Sequence, residues 1–235
     1  MVAREVAAQA HGARLLWVSV TAAPDGPPGR RRELRALHVC PTARMWALPA
    51  WRATVEGVWE EDGVTVTWCS HEVEKGVRGL LRQSHWSLEW LAAPRWRVGD
   101  GGEALEAWRR ALEELAPSGV HAGAVATYRA MARGFREAGG AEASWAATRH
   151  TLTGLRLARE GVLSADPASL ARWAGEQGGA LGELGEPARW SAAVLGEVEG
   201  RWERGGGVLP PLAPGYEALS AYLVRLRLEG LRGGW

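Results

Sequence analysis

The sequence predicts an α+β fold, with a mixed β-sheet and its helices in the first part and a C-terminal all-α helical bundle in the second. Three observations carry this. Apolar and polar residues alternate in short runs as far as Trp68, the period of a half-buried strand. Beyond residue 103 the spacing changes to threes and fours, as in Leu105, Trp108, Leu112 and Leu115. Between the two regimes stands Gly99-Asp100-Gly101-Gly102, a run suited to a linker. Two domains are expected, residues 1–98 and residues 103–235, and 235 residues suffice for two cores.

In chain order, Val2 to Ala10 suits a short helix that stops at Gly12. Leu15-Leu16-Trp17-Val18-Ser19-Val20 suits a strand, broken at Pro24-Asp25-Gly26-Pro27-Pro28-Gly29. Arg30-Arg31-Arg32 leads into a second strand from Glu33 to Val39. Pro41 to Leu48 reads as a turn or short helical step ended by Pro49. Arg52 to Glu60 and Val64 to Cys69 flank Asp62-Gly63, a strong hairpin signal. Ser70 is the expected N-cap of a helix reaching about Arg82, with Glu72 and Glu74 in its first turn. A second helix runs from Ser84 to Leu91, and Pro94 closes it. At least four strands are expected within residues 13–69 and almost none after 103, with a short strand at Trp96-Arg97-Val98 as an option.

The second part carries further helical stripes: Val125, Tyr128, Met131 and Phe135; Trp145, Thr148, Leu152 and Leu155; Tyr216, Leu219, Leu223 and Leu226. Gly139-Gly140, Gly178-Gly179 and Gly205-Gly206-Gly207 separate the helices, and Asp166-Pro167 reads as a cap and a first-turn proline.

His11-Gly12-Ala13-Arg14 before the first strand, and Arg31 to Glu33 opening the second, resemble the frame of the DNA polymerase beta-like (minimal) nucleotidyltransferases. Ser87-Leu88-Glu89-Trp90-Leu91-Ala92-Ala93-Pro94 resembles the same position in a bacterial branch with a C-terminal helical domain. The resemblance implies a nucleotidyltransferase-like first domain. In that family Gly-Ser holds a triphosphate, and an Asp-x-Asp pair plus a third carboxylate hold two divalent metals. At the matching positions of this chain stand Gly12, Ala13, Arg31, Glu33 and, for the third ligand, Thr67. One of the three carboxylates remains, so the resemblance implies a degenerate, pseudoenzyme site with no catalytic and no metal residues. Arg30, Arg32 and Arg35 are candidate phosphate contacts, since guanidinium groups pair with phosphate oxygens.

The formal charge of +1 gives no electrostatic argument for nucleic acid or for an acidic partner. Basic residues are nearly all arginine, Lys75 being the one lysine, so single arginines are weak functional signals. Cys40 and Cys69 are expected as buried free thiols at strand ends. The six histidines lack ligand spacing, and no nucleophile elbow, P-loop or Gly-x-Gly-x-x-Gly follows a strand. Arg78 and His85 have a spacing also found in helical ribonuclease toxins, read here as chance. No run of about 18 apolar residues occurs, so no membrane is expected and a cytoplasmic location is.

Three readings stay open: a degenerate nucleotidyltransferase-like binding module, an active enzyme with relocated carboxylates (Glu33, Glu72 and Asp25), or a structural interaction protein that keeps only the fold. No cofactor is expected, magnesium entering on the second reading alone. A nucleotide and a protein partner are both open.

Overall fold

The structure is a computed structural model that describes residues 15–22, 31–45, 53–61, 63–93, 95–96, 102–185, 190 and 208–233. The predicted helix at Val2–Ala10, the proline loop, Gly12, Ala13, Arg30 and the Gly205 run lie outside these residues.

Five strands, β1 (Leu15–Ala22), β2 (Arg31–His38), β3 (Thr54–Glu61), β4 (Val64–Glu72) and β5 (Arg95–Trp96), form one sheet in the order β3-β4-β2-β1-β5. The sheet is mixed because β2 pairs parallel with β4 while every other neighbour is antiparallel. The hairpin predicted at Asp62-Gly63 joins β3 to β4, and Gly63 there has φ +73°, a conformation glycine adopts without strain. Among the described residues no strand follows Trp96, in agreement with the change of period beyond residue 103.

The helices are α1 (Thr42–Met45), α2 (Val73–Leu81), α3 (His85–Ala92), α4 (Gly102–Leu115), α5 (Gly123–Ala138), α6 (Ala141–Glu160), α7 (Pro167–Gln177), α8 (Gly179–Gly182) and α9 (Tyr216–Gly233). Asp166 caps α7 as expected, its Oδ2 accepting from Ser169 N at 2.8 Å, with Pro167 in the first turn. Gly139 and Gly178 end α5 and α7 at positive φ.

Two local expectations are corrected. Ser70 is not the cap of α2: β4 keeps its pairing with β2 through His38 and Glu72, so Ser70 stays in the strand and its hydroxyl meets His38 Nδ1 at 2.8 Å. Glu72 takes over as N-cap and its side chain accepts from Glu74 N. Tyr216 does not join the buried stripe of α9, which is Leu219, Tyr222 and Leu226; it is 60% exposed. It opens the helix, where side chains tilt back past the N-terminal end and away from the core.

The two faces of the sheet have different partners. A bulge between Leu15 and Trp17 lets Leu15 join Val18, Leu34, Ala36, Val66 and Trp68 on one face while Leu16 joins the other. On that second face Leu16 and Leu37 meet Val77, Leu80 and Leu88 of α2 and α3, and the same apolar cluster continues through Leu112, Tyr128, Leu157 and Leu226. One core therefore crosses the boundary proposed near residue 98. A separate cluster, with Trp145, Leu155, Trp173 and Leu181 among its members, lies within the helical part. Close packing needs glycine at two points of α2: a Cβ on Gly76 would strike Leu37, and one on Gly79 would strike the hydroxyls of Ser84 and Ser87. No helix among the described residues is long and apolar enough to cross a membrane.

Candidate functional site

The strand alternation that puts Leu37 against the helices also turns Glu33 and Arg35 toward them. In the parallel register Glu33 stands opposite Thr67, so two of the positions matched to the nucleotidyltransferase frame are neighbours on the same face. Thr67 Oγ1 donates to the Arg32 carbonyl at 3.4 Å. Arg31 pairs with Thr65 two residues earlier on β2, and Arg32 is exposed.

The Glu33 carboxylate is held in a fork. Arg35 donates from Nε to Oε1 at 2.8 Å and from Nη2 to Oε2 at 3.0 Å, and its Nη1 donates to the Trp86 carbonyl at 3.2 Å. Such two-point pairing is the strongest arrangement a carboxylate and a guanidinium can make. Arg35 is buried; burial would lower its pKa, but the Glu33 charge and hydrogen bonds outweigh this and raise it. Magnesium needs carboxylate oxygens in near-octahedral geometry. The donor set here is one carboxylate already chelated by a cation and one hydroxyl, which does not fit a divalent pair. Glu72, another carboxylate weighed for a relocated site, caps α2 and pairs with Arg227 of α9. Asp25 lies outside the described residues.

From Arg35 a polar seam runs on between α3, α5 and α6. Arg149 of α6 donates from Nη1 to Glu89 Oε2 at 2.6 Å, with both side chains almost wholly buried. Burial alone would raise the Glu89 carboxyl, yet Arg149, the two histidines and Arg35 hold it well below the ordinary carboxylate range. His150 Nδ1 lies 2.7 Å from the Ala146 carbonyl and so carries the proton, leaving Nε2 to accept from Arg149 Nη2 at 3.1 Å. His85 Nε2 is 2.9 Å from the same atom. Tyr128 completes the seam, its phenol pushed well above the usual range by burial and then by Glu89.

His85, Glu89 and His150 place three ligand-type atoms within 4.8 Å of one another. Arg149 stands among them, bonded to two of the three, and supplies the positive charge that the carboxylate requires. A divalent ion about 4 Å from that guanidinium would be repelled by roughly 8 kcal/mol at an effective dielectric near 20. The seam is therefore an ion-pair network joining sheet-side and helical elements, in which Glu89 Oε1 and Arg149 Nε are buried without a hydrogen bond of their own.

The sequence pattern names Glu33 and Thr67 but not this seam. Its signal was faint: His85 and Glu89 are four apart on one helix, Arg149 and His150 are adjacent on another, and 60 residues separate Glu89 from Arg149. Arg78, which the spacing coupled to His85, is instead on the exposed side of α2 in an ion pair with Glu74 at 2.8 Å. Cys40 and Cys69 are both free; Cys40 is buried as expected, whereas Cys69 is only half-buried because it faces the polar side of β4 beside Glu56.

A cleft of about 670 Å³ opens beside this face. It is lined by Lys75, Arg78 and Arg82 of α2 and its C-cap, by Ser84 at the head of α3, and by His71 and Trp86, whose rings stack at 3.8 Å.

No protein-family model matches the chain, and no curated protein matches it. Among solved structures, the chain is similar to a nucleotidyltransferase-like protein from Exiguobacterium sibiricum 255-15, with 11% identity and a TM-score of 0.28 over 84% of this chain and 75% of that one.

Proposed function

We propose that this chain is a degenerate nucleotidyltransferase-like protein that does not transfer nucleotides and serves as a binding module. The observation that carries the reading is the fork between Arg35 and Glu33. Phosphoryl-group chemistry of this kind needs two metal ions about 4 Å apart, held by several carboxylates. At the matching position one carboxylate remains, its two oxygens are taken by a buried guanidinium, and Thr67 stands opposite in place of a third ligand. Releasing Glu33 toward a metal would leave Arg35 buried without its carboxylate partner, a strongly destabilising change.

The test is incubation of the purified protein with each labelled nucleoside triphosphate, magnesium or manganese, and total cellular RNA and protein as acceptors. No incorporation above a heat-denatured control is expected. Metal-dependent incorporation that vanishes on Glu33→Gln overturns the reading and establishes a relocated active site.

A further inference from the structure

We infer that the cleft between α2, α3 and the start of β3 is a binding site for a small phosphate monoester that carries a flat aromatic ring. It goes beyond the preceding proposal, because neither Glu33 nor Thr67 lines this cleft.

Lys75, Arg78 and Arg82 recur at intervals of three and four, so they form one cationic stripe along α2 and its C-cap, and all three line the cleft. The acids at the same rim are already matched. Glu72 is held by Arg227, and Glu74 pairs with Arg78 at 2.8 Å and lies 3.8 Å from Arg227. Lys75 touches the Thr54 hydroxyl, and Arg82 is exposed; among the described residues neither forms an ion pair with a carboxylate. The residual charge of the cleft is positive. Helix α3 also begins here, its first residues forming part of the wall, so the positive end of its dipole adds to the same field.

Two aromatic side chains line the same cleft. His71 and Trp86 are stacked with their planes 28° apart, and both line the cleft without being buried. Burial and then the Lys75 charge lower the His71 pKa to about 4, so at neutral pH its ring is uncharged. An uncharged stacked pair offers a flat surface to a third ring, while the cationic stripe faces the phosphate. The volume matches a single drug-sized molecule and is too small for a folded partner.

The experiment is calorimetric titration of the full chain with adenosine 5′-monophosphate, adenosine and inorganic phosphate as separate probes. The monophosphate is expected to bind with a Kd tighter than about 1 mM and at least about tenfold more tightly than either fragment. Lys75→Ala combined with Arg82→Glu should weaken it about tenfold or more, as loss of charge-assisted contacts does. Arg133→Glu, an exposed change on α5, should leave it unaltered. Thermal unfolding of each variant checks that the chain is folded. A monophosphate that does not bind, binds no better than a fragment, or is indifferent to the Lys75 and Arg82 changes overturns the inference. Label incorporation in the transfer assay bears on the preceding proposal alone, so the two failures are distinct.

Discussion

His85 Nε2 and His150 Nε2 lie 2.9 Å apart, on helices that are 65 residues distant in sequence, with the Arg149 guanidinium bonded to the second ring. Both rings are neutral at physiological pH. Burial lowers His85 to about 4 and lowers His150 well below its ordinary value, with Arg149 adding to the effect on each. Adding a proton would create an imidazolium in a seam that already holds Arg149 and Arg35.

Stability should therefore fall with acid. The unfolded chain takes up protons on these histidines near pH 6.5, while the folded chain refuses His85 until about pH 4. The His85 contribution is fully present above pH 6.5 and is lost as pH falls toward 4. For His85 alone the shift corresponds to about 3 kcal/mol across that window. Urea unfolding at a series of pH values should show this slope, and His85→Gln should flatten it. An unchanged slope in that variant counts against the assignment.

Glu89 and Arg149 should be costly to separate and cheap to remove together. Arg149→Met leaves a buried carboxylate without its cation, an effect of about 3–5 kcal/mol. Glu89→Leu combined with Arg149→Met removes both charges and should recover most of that loss. Chemical unfolding midpoints of the two single variants and the double variant give the comparison. A double variant as unstable as the sum of the singles contradicts the closed-pair description.

Glu33 should act on stability. Glu33→Gln removes the charge that Arg35 holds at two points and should cost about 1–3 kcal/mol, the usual penalty for a buried group losing a partner. Differential scanning calorimetry reads this as a lower melting temperature. A variant as stable as the parent would show that the fork contributes little to folding.

Both thiols should react slowly in the native protein. Cys40 is buried, and burial followed by the Glu56 charge raises the Cys69 thiol to about 11, so little thiolate is present at pH 8. Titration with an aromatic disulfide reagent should count two thiols after denaturation without reductant. Rapid native reaction of Cys69 contradicts its environment as described.

The sequence by itself determined the strands, the hairpin at Gly63, the cap at Asp166 and the helical second part. Each of those signals is local: alternation along one strand, a glycine that tolerates positive φ, a carboxylate three residues before a free backbone N–H. It also determined that Arg31 and Thr67 carry no carboxylate and that Glu33 does, because that is a matter of residue identity. Tertiary structure decided the rest. The parallel pairing of β2 with β4 put Glu33 opposite Thr67, and alternation in that sheet set Arg35 over Glu33 and beneath Trp86. Ser70 looked like a helix cap until β4 carried its pairing two residues further. Packing of α6 against α3 joined Arg149 and His150 to Glu89 and His85, two local pairs that lie 60 residues apart in the chain. A buried charge can be satisfied by any opposite charge that the fold delivers, however distant in sequence, so only the packing of the helices specified which one it would be.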